Sequence, residues 1–201
     1  NVVQELAEGL DVPVSIDTDV NGAVLAEVIW GAGRSYDHVA YLTIGTGIGG
    51  GIWSNGRIIH GANHSEIGHI RVPRFPDDLH SSSCPFHEDC LEGMASGTAV
   101  RERWGMPAQN LGSLTSSATR LEAWYLARGI AALCTVVPVD VVIMGGGIAK
   151  LPSLHSEIAK ELDAATGMYP PVPFGEGGPR IVPPDLGEDA GVIGAIELAH
   201  R

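Results

Sequence analysis

Basic residues are scarce in this chain of 201: 12 Lys and Arg stand against 24 Asp and Glu, a formal charge of −12. A surface this acidic repels phosphate backbones and anionic lipid, so nucleic-acid and membrane-surface binding find no support. Long apolar runs are missing too, and none approaches the roughly 18 residues that a membrane helix needs. Cysteine is rare. Cys84, Cys90 and Cys134 form an odd set, a poor basis for a secreted disulfide framework; a reducing cytosol and a metal site fit better. The opening segment has no signal-peptide character either. The chain opens on Asn1 and runs straight into VVQELAEGL, which has helical apolar spacing. That opening reads as the tail of a helix, and the chain as a fragment of a longer protein.

What is present suits a packed globule: 44% hydrophobic and 18% charged residues. The 27 glycines cluster and so mark tight backbone sites. VPVSID at 12–17 reads as a short strand, and DTDVNGAVLAEVIWGAG as a loop entering a helix that ends at Gly31 or Gly33. From 38 to 60 the period changes to a meander: strand HVAYLTIG, a glycine turn, strand GGIWSNG, and RIIHG after the Asn55-Gly56 hairpin signal. Residues 61–92 look irregular. CLEGMASGTAVRERWG reads as one helix, 115–136 as the longest helix, and VDVVIM as a buried strand. Gly145-Gly146-Gly147 then leads into a helix reaching about Thr166, and the chain ends with strand RIVPPD and helix DAGVIGAIELAH. The Gly- and Pro-rich loop at 167–179 is a connector whose role stays open. Mixed strands and helices place the chain in the α/β or α+β classes.

Four constellations carry chemistry. GTGIGGG (45–51) holds five glycines in seven residues. No helix follows, as a dinucleotide fingerprint requires, and no Lys-Ser/Thr ends it, as a P-loop requires. A glycine hairpin remains, whose bare amides and Thr46 hydroxyl can approach a phosphate; a merely tight turn is the alternative. VVIMGGGIAK runs a buried strand into three glycines and a helix start, a second place for a nucleotide to lie against backbone. CPFHEDC supplies Cys84, His87 and Cys90, with His69 fifteen residues earlier. Four such donors suit a structural tetrahedral zinc that orders a proline-rich loop. His60, His64 and His80 are alternatives for the outlying ligand, and a Cys84–Cys90 disulfide is a competing reading. The fourth group is carboxylates. Asp17 and Asp19 flank Thr18 before a helix, where Asp19 is either a helix cap or a base. Glu66 and Glu92 flank the zinc ligands and could accept sugar hydroxyls. Cys134 sits in an apolar helix and reads as core.

IDTDVNGAVLAE, LTIGTGIGGGI, EIGHI, CPFHEDCLEGMASG and VVIMGGGIA resemble, in the same order, the motifs of the ROK family of repressors and ATP-dependent sugar kinases. The insertion around RFPDD and the Cys-x2-His-x2-Cys spacing resemble the bacterial fructokinase branch. The resemblance implies an α/β, actin-like (ribonuclease H-like) two-lobed fold. Residues 1–36 would be the end of the N-terminal lobe with the catalytic loop, 37–187 the large lobe with zinc loop 60–92, and 188–201 a helix returning to the first lobe. It implies phosphorylation of D-fructose to D-fructose 6-phosphate. Another hexose (glucose, mannose or an N-acetylhexosamine) or a non-catalytic sugar-sensing module is the alternative. Asp19 matches the catalytic base. Thr18, where most relatives have asparagine, together with Glu66, His69 and Glu92, matches sugar contacts. Thr46 and Gly47 match the phosphate turn, and Gly145, Gly146, Gly147, Ile148 and Ala149 the adenosine turn. The resemblance further implies ATP, Mg²⁺ and structural Zn²⁺ on His69, Cys84, His87 and Cys90, a cytoplasmic location and a homodimer. The family's opening aspartate–glycine phosphate motif has no counterpart here, so an N-terminally truncated chain is expected.

Overall fold

A computed structural model describes residues 1–167 and 180–200. The backbone alternates between two buried faces along strand β1 (His38–Ile44), and this organises the rest. Ala40, Leu42 and Ile44 enter one core, while Val39 and Tyr41 enter another. A strand buried on both faces needs helices on both sides, and the chain supplies them. Helices α5 (Thr115–Val136) and α6 (Leu154–Thr166) cover the first face. Helices α2 (Asp19–Trp30) and α7 (Ala190–Ala199) cover the second.

The sheet has the order β3-β2-β1-β4-β5, with β2 at Ile48–Ser54, β3 at Arg57–Ile58, β4 at Val141–Gly145 and β5 at Arg180–Val182. β1, β2 and β3 form an antiparallel meander, and β1, β4 and β5 run parallel. This α/β arrangement is the one expected of the large lobe of an actin-like fold. Both glycine turns consequently leave the sheet at the same end, after β1 and after β4. α2 and α7 cross so closely at Gly22 and Gly194 that any Cβ on Gly194 would overlap the Gly22 backbone.

Three expectations need correction. Residues 12–17 form no strand: none of them pairs with a neighbouring strand among the described residues. The single helix read at 90–105 is two, α3 (Leu91–Ala95) and α4 (Gly97–Trp104). Ser96 ends the first and caps the second, its Oγ accepting the Ala99 amide at 3.2 Å. The break lets Gly97 N–H reach Gly45 O at 2.7 Å, a tertiary contact that overrides local helix propensity. The 145–147 glycines lead only into a 3-10 turn at Ile148–Lys150, and α6 starts later at Leu154, so the turn does not itself open a long helix. The loop at 167–179 lies outside the described residues except for Gly167, which closes α6 with φ 63°. No helix among the described residues is long and apolar enough to cross a membrane. Helix α1 (Val2–Leu10) buries none of its residues.

Candidate functional site

The turn entering α2 is held by its first residues. Thr18, not Asp19, is the cap: its Oγ1 accepts the Asn21 amide at 3.1 Å. Asp17, largely buried, accepts Thr18 N–H at 2.8 Å and Asn21 Nδ2 at 2.6 Å on one oxygen, and its other oxygen lies 2.9 Å from His60 Nε2. Asp19 is left exposed, and among the described residues its Oδ1 accepts only the Val20 amide, at 2.9 Å. It borders three cavities. One of about 430 Å³ is lined by Thr18, Thr46, Gly47, Glu66 and Glu92. One of about 610 Å³ is lined by Tyr41, Gly145, Gly146, Gly147, Ala149 and Lys150. The third, about 660 Å³, lies between residues 13–18 and α7. Asp19 therefore stands where the carboxylate-lined space and the glycine-lined space meet.

The first glycine turn is tied down at its carbonyls. Gly45 N–H donates to Gly47 O at 2.9 Å, Gly97 N–H to Gly45 O, and Thr98 Oγ1 to Thr46 O at 2.9 Å. A Cβ on Gly47 would sit 2.5 Å from Glu92 Oε2 and displace that carboxylate from its place against the turn. In the second turn Gly146 has φ +91°, and a Cβ there would overlap the Ile44 carbonyl. Gly145 leaves room for the Tyr41 hydroxyl in the same way. Ile148 and Ala149 are buried beneath the turn.

The predicted carboxylates converge. Glu92 follows the Cys-x2-His-x2-Cys segment, and Glu66 lies across the cavity, paired with His64 at 2.9 Å. One donor atom from each of His69, Cys84, His87 and Cys90 lies within 4.8 Å of the others. Cys84 Sγ is 3.9 Å from His69 Nδ1 and 3.7 Å from His87 Nδ1. Bonds of about 2.3 Å to sulfur and 2.0–2.1 Å to nitrogen put tetrahedral donors roughly 3.5 Å apart, so two thiolates and two imidazoles here fit one metal ion. Cys84 and Cys90 are free thiols, against the disulfide alternative. The alternative ligands are engaged elsewhere: His60 with Asp17, His64 with Glu66, and His80 Nε2 with Ser83 Oγ at 3.2 Å. Cys134 is buried in the core, which pushes its thiol up to about 12.

Sequence reasoning missed the network that anchors this loop. Asp78 accepts from Arg103 Nη2 at 3.0 Å and from the Tyr125 hydroxyl at 2.6 Å. Arg103 also meets Glu122 at 3.3 Å and the Met94 carbonyl at 2.7 Å. Burial raises the Asp78 carboxyl, but its bonds to Tyr125 and Arg103 outweigh that and hold it below the usual range. Glu122 is buried deeper. There desolvation outweighs Arg103, whose charge Asp78 already shares, and the carboxyl rises to about 8. Glu27 was missed as well: its buried carboxylate accepts the amides of Ala32 at 2.8 Å and Leu186 at 2.9 Å, joining α2 to the turn before α7. The RFPDD stretch, already singled out, was the one available signal for Asp78.

A model of the ROK family matches residues 1–201. The fructokinase of Zymomonas mobilis is 38% identical over 202 residues, covering 99% of this chain and 66% of that protein. The ROK hexokinase of Thermus thermophilus has a TM-score of 0.81 at 26% identity, covering 100% of this chain and 71% of that one. A ROK glucokinase of Streptomyces griseus, solved with glucose and AMPPNP, has a TM-score of 0.78 at 25% identity, covering 98% of this chain and 72% of that one. The chain thus spans about two thirds of the length of the fructokinase it matches. With the family pattern matched from first residue to last, and the fold shared with solved members, the chain belongs to the ROK family.

Proposed function

We propose that this chain carries the catalytic loop and large lobe of an ATP-dependent hexose kinase, with D-fructose the preferred substrate and D-fructose 6-phosphate the product. The observation that carries the reading is the position of Asp19, an exposed carboxylate between a cavity lined by Glu66 and Glu92 and one lined by Gly145–Gly147. A sugar hydroxyl on one side and a γ-phosphate on the other would both come within its reach. Phosphoryl transfer runs through a loose transition state, so positioning and charge neutralisation dominate. Asp19 accepts the proton of the attacking hydroxyl. Glu66, His69 and Glu92 take the remaining hydroxyls. Thr18, whose oxygen already accepts the Asn21 amide, keeps its proton free to donate to the sugar. Thr46 and Gly47 hold the phosphates and Gly145–Ala149 the adenosine. Mg²⁺, when bound, would neutralise phosphate charge.

The two-Cys, two-His donor set favours a structural Zn²⁺, bound so that Glu66, His69 and Glu92 stay fixed. Residues 1–36 are assigned to the end of a first lobe, 37–187 to the large lobe and 188–201 to the returning helix. Fructose is favoured because the 38% identical relative is a fructokinase. A second reading, glucose, draws on the glucose-bound glucokinase at 25% identity. The deciding experiment is ADP release by the intact gene product with fructose, glucose, mannose and N-acetylmannosamine side by side. Fructose should lead. Asp19→Asn should keep the fold and lose about 10²–10⁴ in kcat, and an unchanged kcat would remove Asp19 from the mechanism.

A further inference from the structure

Tyr41 lies on β1 with its ring in the core under α2 and α7, and the residue is only 4% exposed. Its hydroxyl has no hydrogen-bond partner among the described residues. Burying a polar group unpaired is costly, and phenylalanine would fill the same core space without that cost. The hydroxyl is not sealed in, however. It reaches the 610 Å³ cavity bordered by Asp19, Gly145–Gly147, Ala149 and Lys150. Gly145 has no side chain at the one place where a Cβ would strike this oxygen. Burial first, then the charges of Glu27 and Asp19, push the phenol up to about 12. The group therefore stays protonated at working pH and can act as a donor.

We propose that Tyr41 is a nucleotide-contacting residue whose hydroxyl donates a hydrogen bond to a phosphate oxygen of the bound adenine nucleotide. This role for Tyr41 depends on the nucleotide site proposed at Gly145–Ala149. Asp19 lines the same cavity and acts on the Tyr41 phenol through its charge, so the hydroxyl lies toward the end where the transferred phosphoryl group must sit. A neutral donor there adds an interaction to phosphate without adding a cation that would compete for the Asp19 carboxylate.

The test uses the full-length gene product and its Tyr41→Phe variant, which keeps the ring and its packing. Calorimetric binding of MgADP, of adenosine and of fructose is measured on each protein, with melting temperatures and the KM values for ATP and sugar alongside. The variant should bind MgADP about tenfold more weakly and show a similar rise in KM for ATP. Adenosine affinity, fructose affinity and melting temperature should hold. Equal MgADP affinity in both proteins overturns the proposal, as does a fall in melting temperature alone. Equal loss of adenosine and MgADP binding would overturn the phosphate assignment. A wild-type protein that binds no adenine nucleotide overturns the nucleotide-site reading and this proposal with it; one that binds MgADP but phosphorylates no sugar damages only the kinase reading.

Discussion

Glu92 Oε2 accepts the backbone N–H of Ile48 at 2.9 Å, so the last carboxylate of the His/Cys loop holds the outgoing strand of the glycine hairpin. The two residues are 44 positions apart. The bond joins the side of the cleft proposed to bind sugar to the side proposed to bind phosphate, and Gly47 must lack a side chain for the carboxylate to reach across.

That relationship sets the first prediction. Glu92→Ala removes a charged acceptor of a backbone amide, worth about 1.5–3 kcal/mol, and should lower kcat/KM roughly 10- to 100-fold. Both sugar and ATP should show raised KM values, because the hairpin loosens along with the sugar contact. Glu92→Gln still presents an oxygen to Ile48 and should retain more ATP affinity than sugar affinity. Steady-state kinetics with each substrate varied in turn would decide, and identical behaviour of the two variants would break the proposed link.

Metal removal should act first on the sugar side. The intact protein should contain about one zinc per chain. Cys84→Ala or chelation should release it, lower the melting temperature and weaken sugar binding, because Glu66, His69 and Glu92 all lie on or beside the ligand loop. Binding of nucleotide at the Gly145 turn should change less. A zinc-free preparation with full sugar affinity would show that the four donors do not serve this purpose.

The sites that could be read from sequence are those whose chemistry is local. Cys84, His87 and Cys90 fall within seven residues, and five glycines crowd residues 45–51, the β1–β2 turn and the start of β2, so both declared themselves. Alternation in HVAYLTIG, with Asn55-Gly56 beyond, was enough for the meander. Tertiary contact decided the rest. Ser96 breaks a helix because Gly97 must meet Gly45, 52 residues earlier in the chain, at the glycine hairpin. Arg103 collects Asp78 and Glu122 from either side, 25 and 19 residues away, and no pattern along the chain brings those three together. His60 looked like a spare metal ligand and Tyr41 like an ordinary strand residue until the fold gave each its neighbours.

His60 is the case with a direct kinetic consequence. Its Nε2 lies 2.9 Å from Asp17, which in turn receives Thr18 N–H and Asn21 Nδ2 on its other oxygen. The pair clamps the turn that presents Asp19 without touching the cavity in which Asp19 meets Glu66 and Glu92. His60→Ala should therefore lower kcat by roughly tenfold while leaving the KM values within about twofold. Loss of KM with preserved kcat would instead make His60 a substrate contact.

Glu122 makes stability depend on pH. Its carboxyl rises from 4.5 to about 8 in the folded protein because burial outweighs the partly neutralised Arg103. The folded state thus holds a proton that the unfolded chain has already lost, and stability falls as pH rises from about 4.5 toward 8, then levels off. Asp78, held below its usual range, works in the opposite sense, its contribution being lost only as pH falls through acid values. Glu122→Gln removes the titrating proton while keeping the shape and an oxygen for Arg103. Melting temperatures between pH 5 and 9 should show a decline toward alkaline pH in the wild type and a flatter profile in the variant, with the curves close at pH 5 and separating as pH rises. Parallel curves would mean that Glu122 is already ionised in the folded protein and that Arg103 carries both carboxylates as a true buried triad.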